Sequence, residues 1–188
     1  MGRRGVMDKP GLDPARIYTY LLLARERVLA ATRDLSLAQY TQEFPFAHRS
    51  VQATLVHVAG AEWMYNRRLR GEEIPPPAER PFRRFAETAF APLEAAWRAQ
   101  SAETKQTLGA IVDWDRPIEY VVTPPPGGTG PLPRPTRIRT TAGGFATQLI
   151  VHEVHHRAQV MAMLRQLGAV VEVLDYSALM FERSEVAG

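Results

Sequence analysis

The residues best suited to chemistry in this chain are its five histidines: His48, His57, His152, His155 and His156. Three of them fall in the segment His152-Glu153-Val154-His155-His156-Arg157-Ala158-Gln159. On a helix each residue advances by about 100°. With His152 set at zero, Phe145, Leu149, Val160, Met163 and Leu167 fall between roughly +20° and +80° and form an apolar stripe. His156 falls at about +40°, inside that stripe, and His152 sits at its edge. His155 falls at roughly −60°, on the flank. The spacing therefore predicts two imidazoles pointing inward, one turn apart. Left without partners, two buried imidazoles cost on the order of 1–3 kcal/mol each. A shared metal ion removes that cost, because each neutral ring offers it a lone pair. The same i, i+4 spacing pairs two histidines in helix-borne zinc sites.

His57 lies in a second predicted helix. Its neighbours one turn away, Ala53, Gly60 and Ala61, are small and leave room above the ring. A helix-interior Gly costs about 1 kcal/mol against Ala, so a packing reason is expected for it. His57 is a candidate third ligand from a facing helix; the alternative is an ordinary hydrogen-bonded histidine. His48 follows Phe44-Pro45-Phe46 and reads as a surface or capping residue, and His155 as a rim residue. No other catalytic constellation is present. Gly127-Gly128-Thr129-Gly130 lacks the Lys and the following helix of a phosphate-binding loop, there is no serine elbow, and Glu72-Glu73 opens a linker.

Four long helices must position these residues. Asp13-Pro14 reads as a cap followed by Pro at the first helical position, and Ile17, Tyr20, Leu21, Ala24, Val28, Ala31 and Leu35 continue a helical stripe. Residues 37–49 read as a connection. Ser50 caps a second helix over Val51–Arg70, which Gly71 ends. After Pro75-Pro76-Pro77 comes a third helical region over Phe82–Leu108, which Pro92 divides into a short helix over Phe82–Thr88 and a longer one that starts near Pro92. Residues 118–122 and 137–140 read as the strands of a hairpin. The loop between them, 123–136, holds six prolines and three glycines. A fourth helix spans Ala142–Leu167 with Gly168 as its stop, and a short helical piece covers Tyr176–Glu185. This pattern predicts an all-α four-helix bundle with a small β-hairpin insertion before the last long helix.

Composition narrows the function classes. At 188 residues, one domain over 13–188 is expected, preceded by a tail over 1–12 that has no periodicity. The chain has no cysteine, which excludes disulfides, thiolate metal sites and a cysteine nucleophile. No apolar run is long enough to span a membrane, and the start has neither the apolar core of a signal peptide nor the myristoylation pattern. A soluble cytoplasmic protein is expected. The net charge is +3, with 23 basic and 20 acidic residues, and Lys9 and Lys105 are the only lysines. The arginines are scattered and diluted by Glu and Pro, so they read as solvated faces and no nucleic-acid partner is expected.

The His152–Gln159 segment, with Leu164-Arg165-Gln166-Leu167-Gly168 and Leu174-Asp175-Tyr176 after it, resembles the end of DinB-like (YfiT-like) proteins. Leu55-Val56-His57-Val58-Ala59-Gly60-Ala61-Glu62-Trp63 resembles their second helix. The likeness runs from Asp13 to about Glu182, with Ala158 where the family commonly has Gly and a longer Pro/Gly loop after Val122. The resemblance implies a four-helix bundle, commonly a homodimer, that holds a divalent metal through three histidines, here His57, His152 and His156. Imidazole ligands suit zinc, nickel, copper and iron alike, with zinc or nickel the first expectation. Three ligands leave an open position. The resemblance then implies a metal-dependent transferase that activates a low-molecular-weight thiol against a small-molecule substrate, with Arg157 or Gln159 as candidates to orient it. Two readings stand beside it. One is a metal-dependent hydrolase with Glu153 or Glu62 as base; the other is a non-enzymatic metal-binding or stress-related, damage-inducible protein.

Overall fold

The computed structural model describes residues 13–124 and 134–184, and they form a mostly helical fold with one two-stranded antiparallel sheet. The tail 1–12 and most of the Pro/Gly loop lie outside the described residues.

Helix α1 spans Pro14–Arg33, and the Asp13 carboxylate accepts the Ala15 N–H at 2.9 Å. The stretch read as a plain connection contains a short helix, α2, Leu37–Thr41. The reason is local: Ser36 and Gln39 exchange side-chain and backbone hydrogen bonds as a capping box. Helix α3 spans Val51–Leu69 and is capped by Ser50, whose hydroxyl accepts the Ala53 N–H at 3.0 Å. Gly71, at φ 75°, takes the left-handed conformation that stops it. Residues Pro81–Glu87 form a 3-10 helix rather than an α-helix, and its Phe82 and Phe85 are buried. Helix α4, Phe90–Ala110, starts two residues before Pro92, which sits in the first turn where its missing N–H breaks no bond. Strands β1, Pro117–Val122, and β2, Thr136–Thr141, pair in the register Pro117↔Thr141 to Val122↔Thr136. Thr141 ends β2 and caps helix α5, Ala142–Gln166, by accepting the Gly144 N–H. Gly168, at φ 80°, ends α5. Helix α6 is shorter than expected and spans Tyr176–Met180.

Helix α1 packs on α4 and α5, and α3 packs on the same two. The apolar core falls into two clusters. One holds Val28, Leu55, Val58, Leu93, Trp97, Val160 and Met163. The other holds Tyr18, Leu21, Leu69, Leu108, Phe145 and Leu149. Between them, each long helix contributes a buried polar residue. Arg25 of α1 bonds Glu153 of α5 through Nε (3.0 Å) and Nη2 (2.5 Å). The same Nη2 reaches Glu62 of α3 at 2.7 Å, and Nη1 donates to Ser101 of α4. Trp97 Nε1 and the Tyr18 hydroxyl donate to the two Glu62 oxygens at 2.7 and 2.5 Å. Arg25, Glu62 and Glu153 are each at most 4% exposed.

The scattered arginines find carboxylates at the surface. Arg33 and Arg98 share Glu26 and Glu94, Arg67 and Arg70 meet Glu72, and Arg137 and Arg139 flank Glu119 on the hairpin. Exposed pairs of this kind are screened by solvent and add little to stability. Among the described residues no helix is long and apolar enough to cross a membrane.

Candidate metal centre

Helices α3 and α5 face one another and bring histidines together. His57 sits in the middle of α3, and its Nε2 lies 3.0 Å from Nε2 of His152 on α5. His156, one turn further along α5, has its ring centre 4.5 Å from that of His152 and 4.7 Å from that of His57. All three rings are half-buried, whereas His155 is exposed on the flank, as its helical angle predicts. Two nitrogens bound at about 2.1 Å to one zinc lie roughly 3–3.4 Å apart, so the 3.0 Å contact suits a shared ion as well as a hydrogen bond.

His48 is the member that sequence reasoning missed. It is exposed, as its loop suggested, but its ring stacks on His57 with centres 3.9 Å apart and planes 28° apart. It also lies 5.1 Å from the ring of His156. His48, His57 and His156 each offer a ring nitrogen within 4.8 Å of the others, close enough to hold a divalent ion. The room expected above His57 is therefore filled by His48. Gly60 plays no part in it. A Cβ there would meet the Cβ of Phe82 at 3.6 Å, an ordinary contact, so the position does not demand glycine.

Neighbouring groups fix the rings. The Gln159 Oε1 accepts from His156 Nδ1 at 2.7 Å, which leaves the lone pair of His156 on Nε2. With its amide in this orientation, Gln159 Nε2 donates to Nε2 of His155 at 3.0 Å. Tyr65 of α3 lies edge-on to His152 at 5.7 Å, and its hydroxyl accepts from Gln148. Arg157 points elsewhere: it is buried and donates to the Tyr20 hydroxyl at 2.7 Å, away from the histidines. A cavity of about 580 Å³ lined by Leu69, Arg70, Thr107, Asp113 and Arg116 contains none of the histidines.

Burial, and then the neighbouring imidazoles, push the His57 ring down to about 3 and the His152 ring to about 4. His48 is shifted down for the same reasons. These rings are neutral at pH 7, the form that binds metal. Both folded-state values lie below the ordinary 6.5. The unfolded chain therefore takes up protons first as pH falls. In the presence of a chelator, stability is expected to be full above about pH 7 and to decline from about 6.5 down towards 4 and then 3. Thermal unfolding between pH 8 and 4.5 checks this. A His57→Gln/His152→Gln variant should show a flatter profile, and an equally steep one would mean that other groups set the decline.

The sequence matches the DinB family over residues 7–185. The chain belongs to the DinB family. The fold is also similar to the crystal structure of a DinB-like protein, YjoA, from Bacillus subtilis, with a TM-score of 0.56, 15% identity, and coverage of 85% of this chain and 96% of that one. No curated protein is matched by the chain. For a DinB-family chain, the cluster of imidazoles between α3 and α5 is a fitting donor set for a divalent transition ion.

Proposed function

We propose that this DinB-family chain is a four-helix bundle that binds one divalent ion, zinc or nickel, through His57, His152 and His156. In this reading the protein is a transferase that joins a low-molecular-weight thiol to an electrophilic small molecule, with the bound ion lowering the thiol's pKa. The observation that carries the reading is the meeting of three half-buried rings from two facing helices, with His57 and His152 in contact at 3.0 Å. When bound, such an ion supplies Lewis acidity and favours a thiolate at neutral pH. The chain has no cysteine, so the thiol comes from outside. The protein's own part is to keep the His57 and His152 rings neutral by burial, to orient His156 through Gln159, and to offer Tyr65 and His155 at the rim.

The hydrolase alternative loses its bases. Glu62 and Glu153 are both engaged by Arg25 inside the core rather than turned to the histidines. A homodimer in the cytoplasm, with no nucleic-acid partner, completes the reading.

Elemental mass spectrometry of untagged protein tests it. About one divalent ion per chain is expected, with none in a His152→Ala/His156→Ala variant. Conjugation of an electrophile should then require both the ion and added thiol. Metal without turnover under either condition would make this a binding protein, and no metal after reconstitution would remove the site.

A further inference from the structure

We infer that His48 is a fourth, loop-borne ligand that closes the metal position left open by the three helix histidines. The inference rests on the proposed metal site and concerns a residue outside the helix trio. Three observations carry it.

The first is distance: a ring nitrogen of His48 lies within 4.8 Å of ligand atoms on both His57 and His156. The second is orientation. Among the described residues His48 makes no hydrogen bond to protein, and its ring is held face to face with His57 at 3.9 Å. The third is the backbone that presents it. Ala47 and Arg49, on either side of His48, have φ of 53° and 70°. Neither is glycine, and a non-glycine residue in the left-handed region costs of order 1–3 kcal/mol unless its surroundings impose it. The surroundings do so here. Phe44 is buried and its N–H donates to the Arg49 carbonyl at 2.6 Å, the Arg49 N–H donates to Phe46 at 3.0 Å, and Ser50 is committed to capping α3. The loop is tied at both ends, and the strained residues turn the His48 ring over the site.

With His152, which meets His57 at 3.0 Å, the donors would number four imidazoles, a closed set. His48 is its one member outside the helices. His57, His152 and His156 would hold the ion from the helices, and His48 would be the ligand that gives way to a small thiol.

Metal-free protein titrated with cobalt(II), and with zinc(II) against a competing chelator, tests the inference on wild type, His48→Ala and His48→Phe. The phenylalanine keeps the stacked ring and removes the lone pair. Both variants are expected to retain about one ion per chain, to bind it more weakly by at least about tenfold, and to change the cobalt absorption bands. Added imidazole should restore the wild-type bands in His48→Ala. Unchanged affinity and bands in both variants would overturn the ligand role and leave His48 as a stacking ring. Wild-type binding in His48→Phe with weakening only in His48→Ala would overturn it too, because stacking alone would then suffice. Failure of the wild type itself to take up either ion would overturn the three-histidine site and this inference together.

Discussion

Arg25→Ala is expected to destabilise the protein by about 3–5 kcal/mol, the cost of leaving buried carboxylates without their cation. Arg25 is the single positive group between Glu62 and Glu153, and all three are almost fully buried. Two carboxylates left in a medium of low permittivity repel one another and lose their solvation together. Urea unfolding followed by circular dichroism reads the loss. A triple variant, Arg25→Met/Glu62→Leu/Glu153→Leu, separates charge from shape. Apolar replacement of a buried ion cluster is often neutral or stabilising, so the triple variant should recover most of the loss. A cost below about 1 kcal/mol for Arg25→Ala, the range of an exposed pair, would mean that water reaches the cluster. The same variant bears on the metal centre, because Glu62 lies five residues beyond His57 on α3 and Glu153 directly follows His152 on α5. By clamping both carboxylates, Arg25 sets the offset of the two helices that carry the rings. Metal affinity should fall in Arg25→Ala even though no ligand is touched.

Trp97→Ala, made alone, should cost about 3–5 kcal/mol. Trp97 is among the largest fully buried side chains, its indole N–H donates to Glu62 at 2.7 Å, and the Arg25 guanidinium stacks over its ring at 4.4 Å. Two contributions can be told apart. Trp97→Phe keeps most of the apolar volume and loses the bond to a charged acceptor, so it should cost about 1.5–3 kcal/mol. The difference between the two variants is the cavity. Equal losses in both would show that the hydrogen bond outweighs the packing. The Arg25→Ala and Trp97→Ala losses should not add, since both residues hold Glu62; a double-mutant cycle should give an interaction energy of roughly 0.5–3 kcal/mol.

The element boundaries were legible where the cause is local. Asp13, Ser50, Gly71 and Gly168 act within a few residues of themselves, and each stands where a helix starts or stops. The inward pointing of His152 and His156 followed from the helical period alone, because the same angle that buries Leu149 and Met163 also buries the rings. The capping box that forms α2 is equally local, set by Ser36 and Gln39 just ahead of the Phe-Pro-Phe break. Pro92 marks the start of α4, because in a first turn its missing N–H breaks no bond.

What no local rule supplied are the contacts between distant segments. Arg25, Glu62 and Glu153 each resemble ordinary surface charges on amphipathic helices, and Glu153 sits beyond the apolar stripe on its wheel. They are buried only because three helices place opposite charges at the same level of the core. His48 lies in a loop without periodicity, and its position over His57 depends on two left-handed residues and on anchors at both ends of the turn. The sequence by itself determined the helices, the hairpin and which histidines face inward, since propensity, capping and period act over a few residues. Only the tertiary structure decided which rings meet, which charges neutralise one another and that a loop histidine covers the site, since those energies exist only once α1, α3, α4 and α5 have packed.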